Sequence, residues 1–278
     1  MSTTTQTNRD ELRKQLAEPY SLPQTAISFF RQNGYVKLKQ VLSPEIIDFY
    51  GSATSNMVQQ LSSQAKPISE RDTYGRAFLQ IMNIWEQDAT VREFAFSARL
   101  ARIAAELMGV QGVRMYHDQA LYKEPGGGFT PWHADQFYWP LSNSNTCTVW
   151  IPLQETPLEL GPLAFSVGSQ VFDKGRDLGI SDESEKQIGF NLKDFPIDES
   201  PFALGEVSFH SGWTFHRASP NTSDRARAVM TVIYMEDGMK LIEPQHQNHR
   251  NDWASWLPGA AIGEVIDTPK NPVLYHQS

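Results

Sequence analysis

The sequence predicts a mainly β protein, a barrel or sandwich, with a helical layer at its N-terminal end. Three observations predict it. Apolar residues recur at helical spacing through roughly the first 109 residues, the chain then breaks into short runs rich in β-branched and aromatic residues, and Gly, Pro or Asn separates those runs. Helices followed by many short strands give a β core with helices packed against it. The 278 residues, 40% of them hydrophobic, suffice for a sizeable core, and decorated barrels reach this length without splitting, so 1–278 is expected to be one domain.

Residues 1–22 are polar and end in a Pro-containing stretch, which predicts a flexible terminus. The helical layer spans 25–109. It opens with a short amphipathic helix from Thr25, stopped at Asn33-Gly34, and a strand holding Tyr35, Val36, Leu38 and Val41. Ser43 followed by Pro44 starts the next helix, with the hydroxyl as cap and the proline where no N–H is needed. A third helical region, "DATVREFAFSARLARIAAELMG", closes at Gly109.

The β core is expected over 110–240, with strands in "VRMYHDQALYKEP", "TCTVWIPLQE", "PLAFSVGS", "EVSFHSGWTFHRAS" and "RAVMTVIYMED". Residues 173–199 are charged and weakly periodic, which marks a lid or exposed excursion between strands.

A formal net charge of −8 disfavours nucleic acid and anionic membrane surfaces, leaving a small molecule as the expected partner. Cys147 is the only cysteine, so neither an intramolecular disulfide nor a thiolate cluster can form. The start carries no apolar stretch of signal length and no long apolar run follows, which predicts a cytoplasmic protein. No heptad run marks an interface, so monomer and homodimer are equally compatible.

The chemistry concentrates in "TPWHADQFYW". On a strand, His133 and Asp135 point to one side, because side chains alternate with period two. Alone they are equally an ordinary polar pair. His216, at a second strand end, supplies a third ligand, and two histidines with one carboxylate on one face leave the open positions that Fe(II) and O2 chemistry needs. Arg227, eleven residues further on, returns beside this site on the next strand, where a guanidinium grips a carboxylate bidentately.

With these residues, and with "FFRQNGYVKLKQVLSPE", "VWIPL", "GPLAFSVGS" and "GEVSFHSGWTFHRASPNTSDRARAV", the sequence resembles the phytanoyl-CoA dioxygenase (PhyH) family of Fe(II)- and 2-oxoglutarate-dependent oxygenases. The resemblance covers most of residues 27–237. It implies a double-stranded β-helix (jelly roll, cupin-like), with iron held by His133, Asp135 and His216, 2-oxoglutarate and O2 as cosubstrates, and the far carboxylate of 2-oxoglutarate on Arg227. Gln119 and Trp150 match positions that line the cosubstrate pocket in similar proteins. The serine many relatives carry two residues after the distal histidine is replaced by Ala218, and Ser219 is the expected substitute. Halogenating relatives lack the carboxylate that Asp135 supplies, so hydroxylation, desaturation or cyclisation is implied.

Gln80, Asn83 and Trp85 in "FLQIMNIWEQ" present amides among aromatics, either to substrate or as the outer face of a core helix. Tyr138 and Trp139 form an aromatic wall suited to a largely apolar metabolite, or pack the barrel end. His117 and His210 are read as packed or hydrogen-bonded histidines with a share in the pocket, and His246 and His249 as a solvated pair. Two other functions compete with the oxygenase. A non-catalytic jelly-roll binding or regulatory protein has no use for all four residues, and a Zn(II) hydrolase on the same ligands leaves Arg227 without a partner.

Overall fold

The computed structural model describes residues 2–62, 66, 68–71 and 73–277. The first element is helix α1 (Ser2–Ala17), where composition predicts a flexible end. Leu12 and Leu16, four residues apart on one face, are buried, and Arg9 and Arg13 both reach Glu93, at 2.7 and 2.6 Å. Two apolar anchors and a shared carboxylate dock a helix whose average composition is polar.

Helix α2 (Gln24–Asn33) stops where the sequence predicts, at Gly34, whose φ of +81° carries its N–H back to the Phe30 carbonyl. Strand β1 (Tyr35–Leu38) follows, then α3 (Pro44–Leu61), capped by the Ser43 side chain on the Ile46 N–H. After the short α4 (Thr73–Ala77) comes strand β2 (Leu79–Met82), so the Gln80 segment is extended and not a core helix. The third helical region is two helices, α5 (Ala89–Ala95) and α6 (Ala98–Met108). Ser97 divides them by accepting from the Leu100 N–H while its hydroxyl donates to the Leu16 carbonyl, a cap that apolar periodicity conceals.

The remaining strands are β3 (Gly112–Lys123), β4 (Thr130–His133), β5 (Thr146–Pro152), β6 (Leu163–Ser166), β7 (Ile197–Glu199), β8 (Val207–Ser211), β9 (His216–Ala218), β10 (Arg227–Glu236) and β11 (Val273–His276). They build two antiparallel sheets. The larger runs β1-β8-β5-β10-β3-β11 with β2 also on β3, and the smaller runs β4-β9-β6-β7. This is the jelly roll, and its large sheet recruits β1, β2 and β11 from outside 110–240.

Alternation along β5 shows how the layers are divided. Cys147, Val149 and Ile151 join the core shared with Ile46, Phe94 and Leu100 of the helices, while Thr148 and Trp150 turn toward the smaller sheet. Residues 173–199 are more ordered than a bare excursion. Helix α7 (Asp182–Asn191) carries a capping box at Ser181 and Ser184, Ile188 and Leu192 are buried against Trp132, and β7 completes the smaller sheet. Helix α8 (Gln247–Trp256) lies beyond the expected core and closes one side of the space between the sheets.

Candidate active site

Inward-facing side chains of both sheets enclose a cavity of about 420 Å³. One wall comes from His117, Gln119 and Leu121 of β3, Thr148 and Trp150 of β5, and Arg227, Thr231 and Ile233 of β10, each set spaced by two or a multiple of two as strand geometry requires. The other comes from Thr130 and His133 of β4, Leu163 of β6, and His216 and Ala218 of β9.

His133 and His216 are register partners across β4 and β9. Asp135 reaches them from a 3-10 turn, Asp135–Tyr138, because β4 ends at His133; strand parity gives the right face, and the turn delivers the carboxylate. Asp135 Oδ1 lies 3.6 Å from His133 Nε2 and 3.7 Å from His216 Nε2, and the three candidate ligand atoms all fall within 4.8 Å of one another.

Second contacts fix their orientation. The His133 Nδ1–H donates to the Pro131 carbonyl at 2.8 Å and the His216 Nδ1–H to the Thr214 carbonyl at 3.0 Å, which leaves both Nε2 lone pairs facing the carboxylate. Asp135 Oδ2 accepts from Thr148 Oγ1 at 3.1 Å and from His210 Nε2 at 3.3 Å, freeing Oδ1 to point between the imidazoles. Burial lowers both imidazoles, His133 and His216, to about 4, and their mutual repulsion or that of His210 adds to it. Burial opposes ionisation of Asp135, yet His216, His210 and His133 hold its carboxyl below the ordinary range. Near pH 7 the cluster is one carboxylate and two neutral imidazoles, the donor set a divalent cation takes without first displacing protons.

Farther along the cavity Arg227 is 1% exposed. Its Nη1 donates to the Gly161 carbonyl, Nε has no partner, and the group lies 5.3 Å from the Trp150 ring, whose indole N–H is also unpartnered. Burial lowers it to about 9. Lys123, its register partner on β3, is held by the Gly128 and Ser219 carbonyls and lowered to about 6 by burial and then by Arg227. Among the described residues neither base forms an ion pair, so a buried guanidinium borders the cavity with no anion of its own.

A profile of the phytanoyl-CoA dioxygenase (PhyH) family matches residues 30–229, most of the chain. The chain belongs to this family. Its members are Fe(II)- and 2-oxoglutarate-dependent dioxygenases, and the His133, Asp135 and His216 cluster is present in the geometry just described. Among curated proteins it is 24% identical to 1-deoxypentalenic acid 11-beta-hydroxylase of Streptomyces exfoliatus, over 70% of this chain and 74% of that one. It is 26% identical to a probable alpha-ketoglutarate-dependent hypophosphite dioxygenase of Stutzerimonas stutzeri over 50% of each. Its fold is similar to that of the non-heme alpha ketoglutarate dependent carbocyclase SnoK from nogalamycin biosynthesis, with a TM-score of 0.75 and 24% identity over 92% of this chain and 99% of that chain.

Of the further residues predicted for this PhyH protein, Gln119, Trp150, Gln80, Tyr138 and Trp139 line the cavity with the triad and Arg227. Gln80 Nε2 donates to Gln119 Oε1 at 2.5 Å, so the two amides form one strip across β2 and β3. Asn83 and Trp85 do not line it. The chain turns away after β2, Asn83 at φ +49° giving its N–H to the Asp118 carbonyl, and Trp85 packing beneath Arg92. Ser219 also faces elsewhere, its hydroxyl bonded to Glu199, so it does not replace the missing serine at Ala218.

His117 and His210 belong to the cavity wall, His210 through Asp135. His246 and His249 meet with tilted rings, centroids 3.9 Å apart, in a second depression outside it, and His249 is buried rather than solvated. Asn251, Asp252, Ser255 and Trp256 carry no local signal, because α8 follows the last recognisable strand by pattern and only the fold brings it over the cavity. Among the described residues no helix is long and apolar enough to cross a membrane.

Proposed function

We propose that the protein oxidises a small metabolite with a largely apolar body, by hydroxylation or by desaturation or cyclisation, while 2-oxoglutarate is converted to succinate and CO2. The observation that carries this is the shared cavity: two Nε2 lone pairs and one carboxylate at one end, and an unpaired buried guanidinium farther along. His133, Asp135 and His216 would hold Fe(II), and Arg227 the far carboxylate of 2-oxoglutarate. Both fit on the protein's own terms. The imidazoles are already in the ligating tautomer, and an anion bonding the Arg227 fork supplies the charge that the fold leaves out.

Bound iron and 2-oxoglutarate supply the oxidising power that activates O2 and removes hydrogen from an unactivated carbon. The chain's residues do the rest. Thr148 and His210 hold the carboxylate of Asp135 in place, Trp150 and Leu163 exclude water around Arg227, and Phe78, Met82, Tyr138, Trp139, Ile180 and Trp256 form an apolar surround against which a hydrocarbon body is positioned. A cavity of about 420 Å³ shared by cosubstrate and substrate favours a metabolite over a macromolecule. A zinc hydrolase on the same three ligands leaves the Arg227 charge unexplained.

The test is anaerobic addition of Fe(II) and 2-oxoglutarate followed by exposure to O2. A visible charge-transfer band that needs both components, and succinate formation that also needs O2, are expected; a band formed equally by Arg227→Met or Asp135→Ala would refute the assignment.

A further inference from the structure

Helix α8 presents Asn251, Asp252, Ser255 and Trp256 to the cavity, two i,i+4 pairs on one helical face. Asp252 stands out. Its Oδ2 accepts from the Tyr116 hydroxyl at 2.8 Å, and among the described residues that is its only side-chain bond and it has no ion pair. A carboxylate accepts about four hydrogen bonds, so most of this one's capacity is open to the cavity.

Tyr116 is placed by an irregularity in the sheet. The β3–β10 register shifts between Ile233, opposite His117, and Tyr234, opposite Met115, so Tyr116 is the extra residue of a bulge. Regular alternation would send neighbours Tyr116 and His117 to opposite faces. The bulge instead puts the Tyr116 ring 5.4 Å from the cavity residue Trp139 and its hydroxyl on Asp252. Docking α8 does not require this contact, since Leu257 is fully buried, Trp253 and Trp256 pack on the same cluster, and the Trp253 indole donates to the Ala260 carbonyl.

Charge shows what is missing. With the cofactors of the proposed function in place, a dication, the Asp135 carboxylate, a dicarboxylate and the Arg227 guanidinium sum to zero. Asp252 is then the one uncompensated charge on the cavity wall, and no Lys or Arg of the described chain pairs with it. Burial raises its carboxyl to about 7, the state of an acid awaiting a cation.

Resting on that reading of the site, we propose that the substrate carries a basic amine, and that Asp252, steadied by Tyr116, anchors this amine so that the apolar remainder of the molecule extends toward His133, Asp135 and His216. Asp252 is thus the residue that selects amine-bearing substrates. Ser255 beside it accepts a further hydrogen bond from an ammonium, while Asn251 Oδ1 already accepts from Gln247 Nε2 at 2.9 Å.

The experiment uses a panel of alicyclic and aromatic amines, each paired with its N-acetyl derivative, which keeps the body and removes the charge. Binding is measured by calorimetry on the protein alone and on the protein with Fe(II) and 2-oxoglutarate under anaerobic conditions. Amines are expected to bind wild type about 10- to 150-fold more tightly than their acetyl partners, the worth of a hydrogen bond to a charged group. Asp252→Asn should erase that preference and Tyr116→Phe reduce it, while both retain the charge-transfer band that reports iron and cosubstrate. Equal binding of amine and amide, a preference that survives Asp252→Asn, or failure of every amine to bind overturns the proposal. Loss of the band in wild type refutes the oxygenase reading instead, and the comparison on the protein alone still decides the amine.

Discussion

His133 and His216 face each other across β4 and β9 with ring centroids 4.1 Å apart, each anchored through Nδ1 to a backbone carbonyl two residues before it. A pair of neutral imidazoles held this close is preorganised for a shared cation. Fe(II) should therefore stabilise the folded protein, by about 2.7 kcal/mol at a hundredfold excess over its dissociation constant. For a chain of this size that is roughly 5–10 °C in melting temperature. Anaerobic scanning calorimetry should show the shift in wild type and its loss in His216→Ala; a variant that keeps the full shift would remove His216 from the metal site.

Arg227 separates stability from binding. Its guanidinium is buried with no carboxylate, so replacing it with methionine removes a desolvated charge and fills most of the same volume. Arg227→Met should melt no lower than wild type yet bind 2-oxoglutarate at least about thirtyfold more weakly, corresponding to the lower end of the 2–5 kcal/mol lost when one partner of a buried charge pair is removed. A variant that unfolds readily while keeping its cosubstrate affinity would show that the arginine serves the fold.

Gly161 links the two. Its carbonyl accepts from Arg227 Nη1, its φ is +67°, and an added Cβ would lie 2.2 Å from the Ser219 carbonyl oxygen. Gly161→Ala should lose about 1–3 kcal/mol from the left-handed conformation alone, and more from that backbone clash. Because any relief moves the carbonyl, affinity for 2-oxoglutarate should fall as well. Gly126→Ala is the control: φ is +73° with open space around it, so it should lose stability and leave binding unchanged. Identical binding in both variants would sink the link.

The sequence carries His133, Asp135, His216 and Arg227 because these are set by residue type and spacing near strand ends, and the strands β3, β5, β6, β8, β9 and β10 because alternation and turn residues are local; β7 is hidden in the charged stretch 173–199. What escaped it depends on contacts between distant segments. Leu12 and Leu16 are too few to mark α1 in a polar stretch, yet they dock it beside Glu93. Ser97 looks like an ordinary helix residue until Leu16 supplies its acceptor. Gln80 and Trp85 share one short stretch, and only the pairing of β2 with β3 sends the first into the cavity and the second away. Asp252 is invisible for the same reason: nothing local says that α8 will cover the site.

Asp118 gives the last prediction, on pH. It lies on β3 beside the cavity wall, fully buried, and accepts the backbone N–H groups of Ile84 at 2.9 Å and Trp85 at 3.1 Å. Burial raises its carboxyl to about 7, with Glu86 adding to the shift, while those two N–H bonds oppose it. The folded value stands above the unfolded one near 4, so between pH 4 and 7 the folded chain holds a proton that the unfolded chain has released. Its contribution to stability is therefore largest below about pH 4 and declines as pH rises toward 7, by up to about 4 kcal/mol. Asp118→Asn keeps an acceptor for one of the two N–H groups, a loss that does not vary with pH, and has no charge to desolvate. The melting temperature of the variant minus that of wild type should rise steadily from pH 4 to 7, a difference in which the titration of the unchanged histidines cancels. A difference that is flat across this range would mean that Asp118 is ionised in the fold throughout, with its two backbone bonds outweighing the burial.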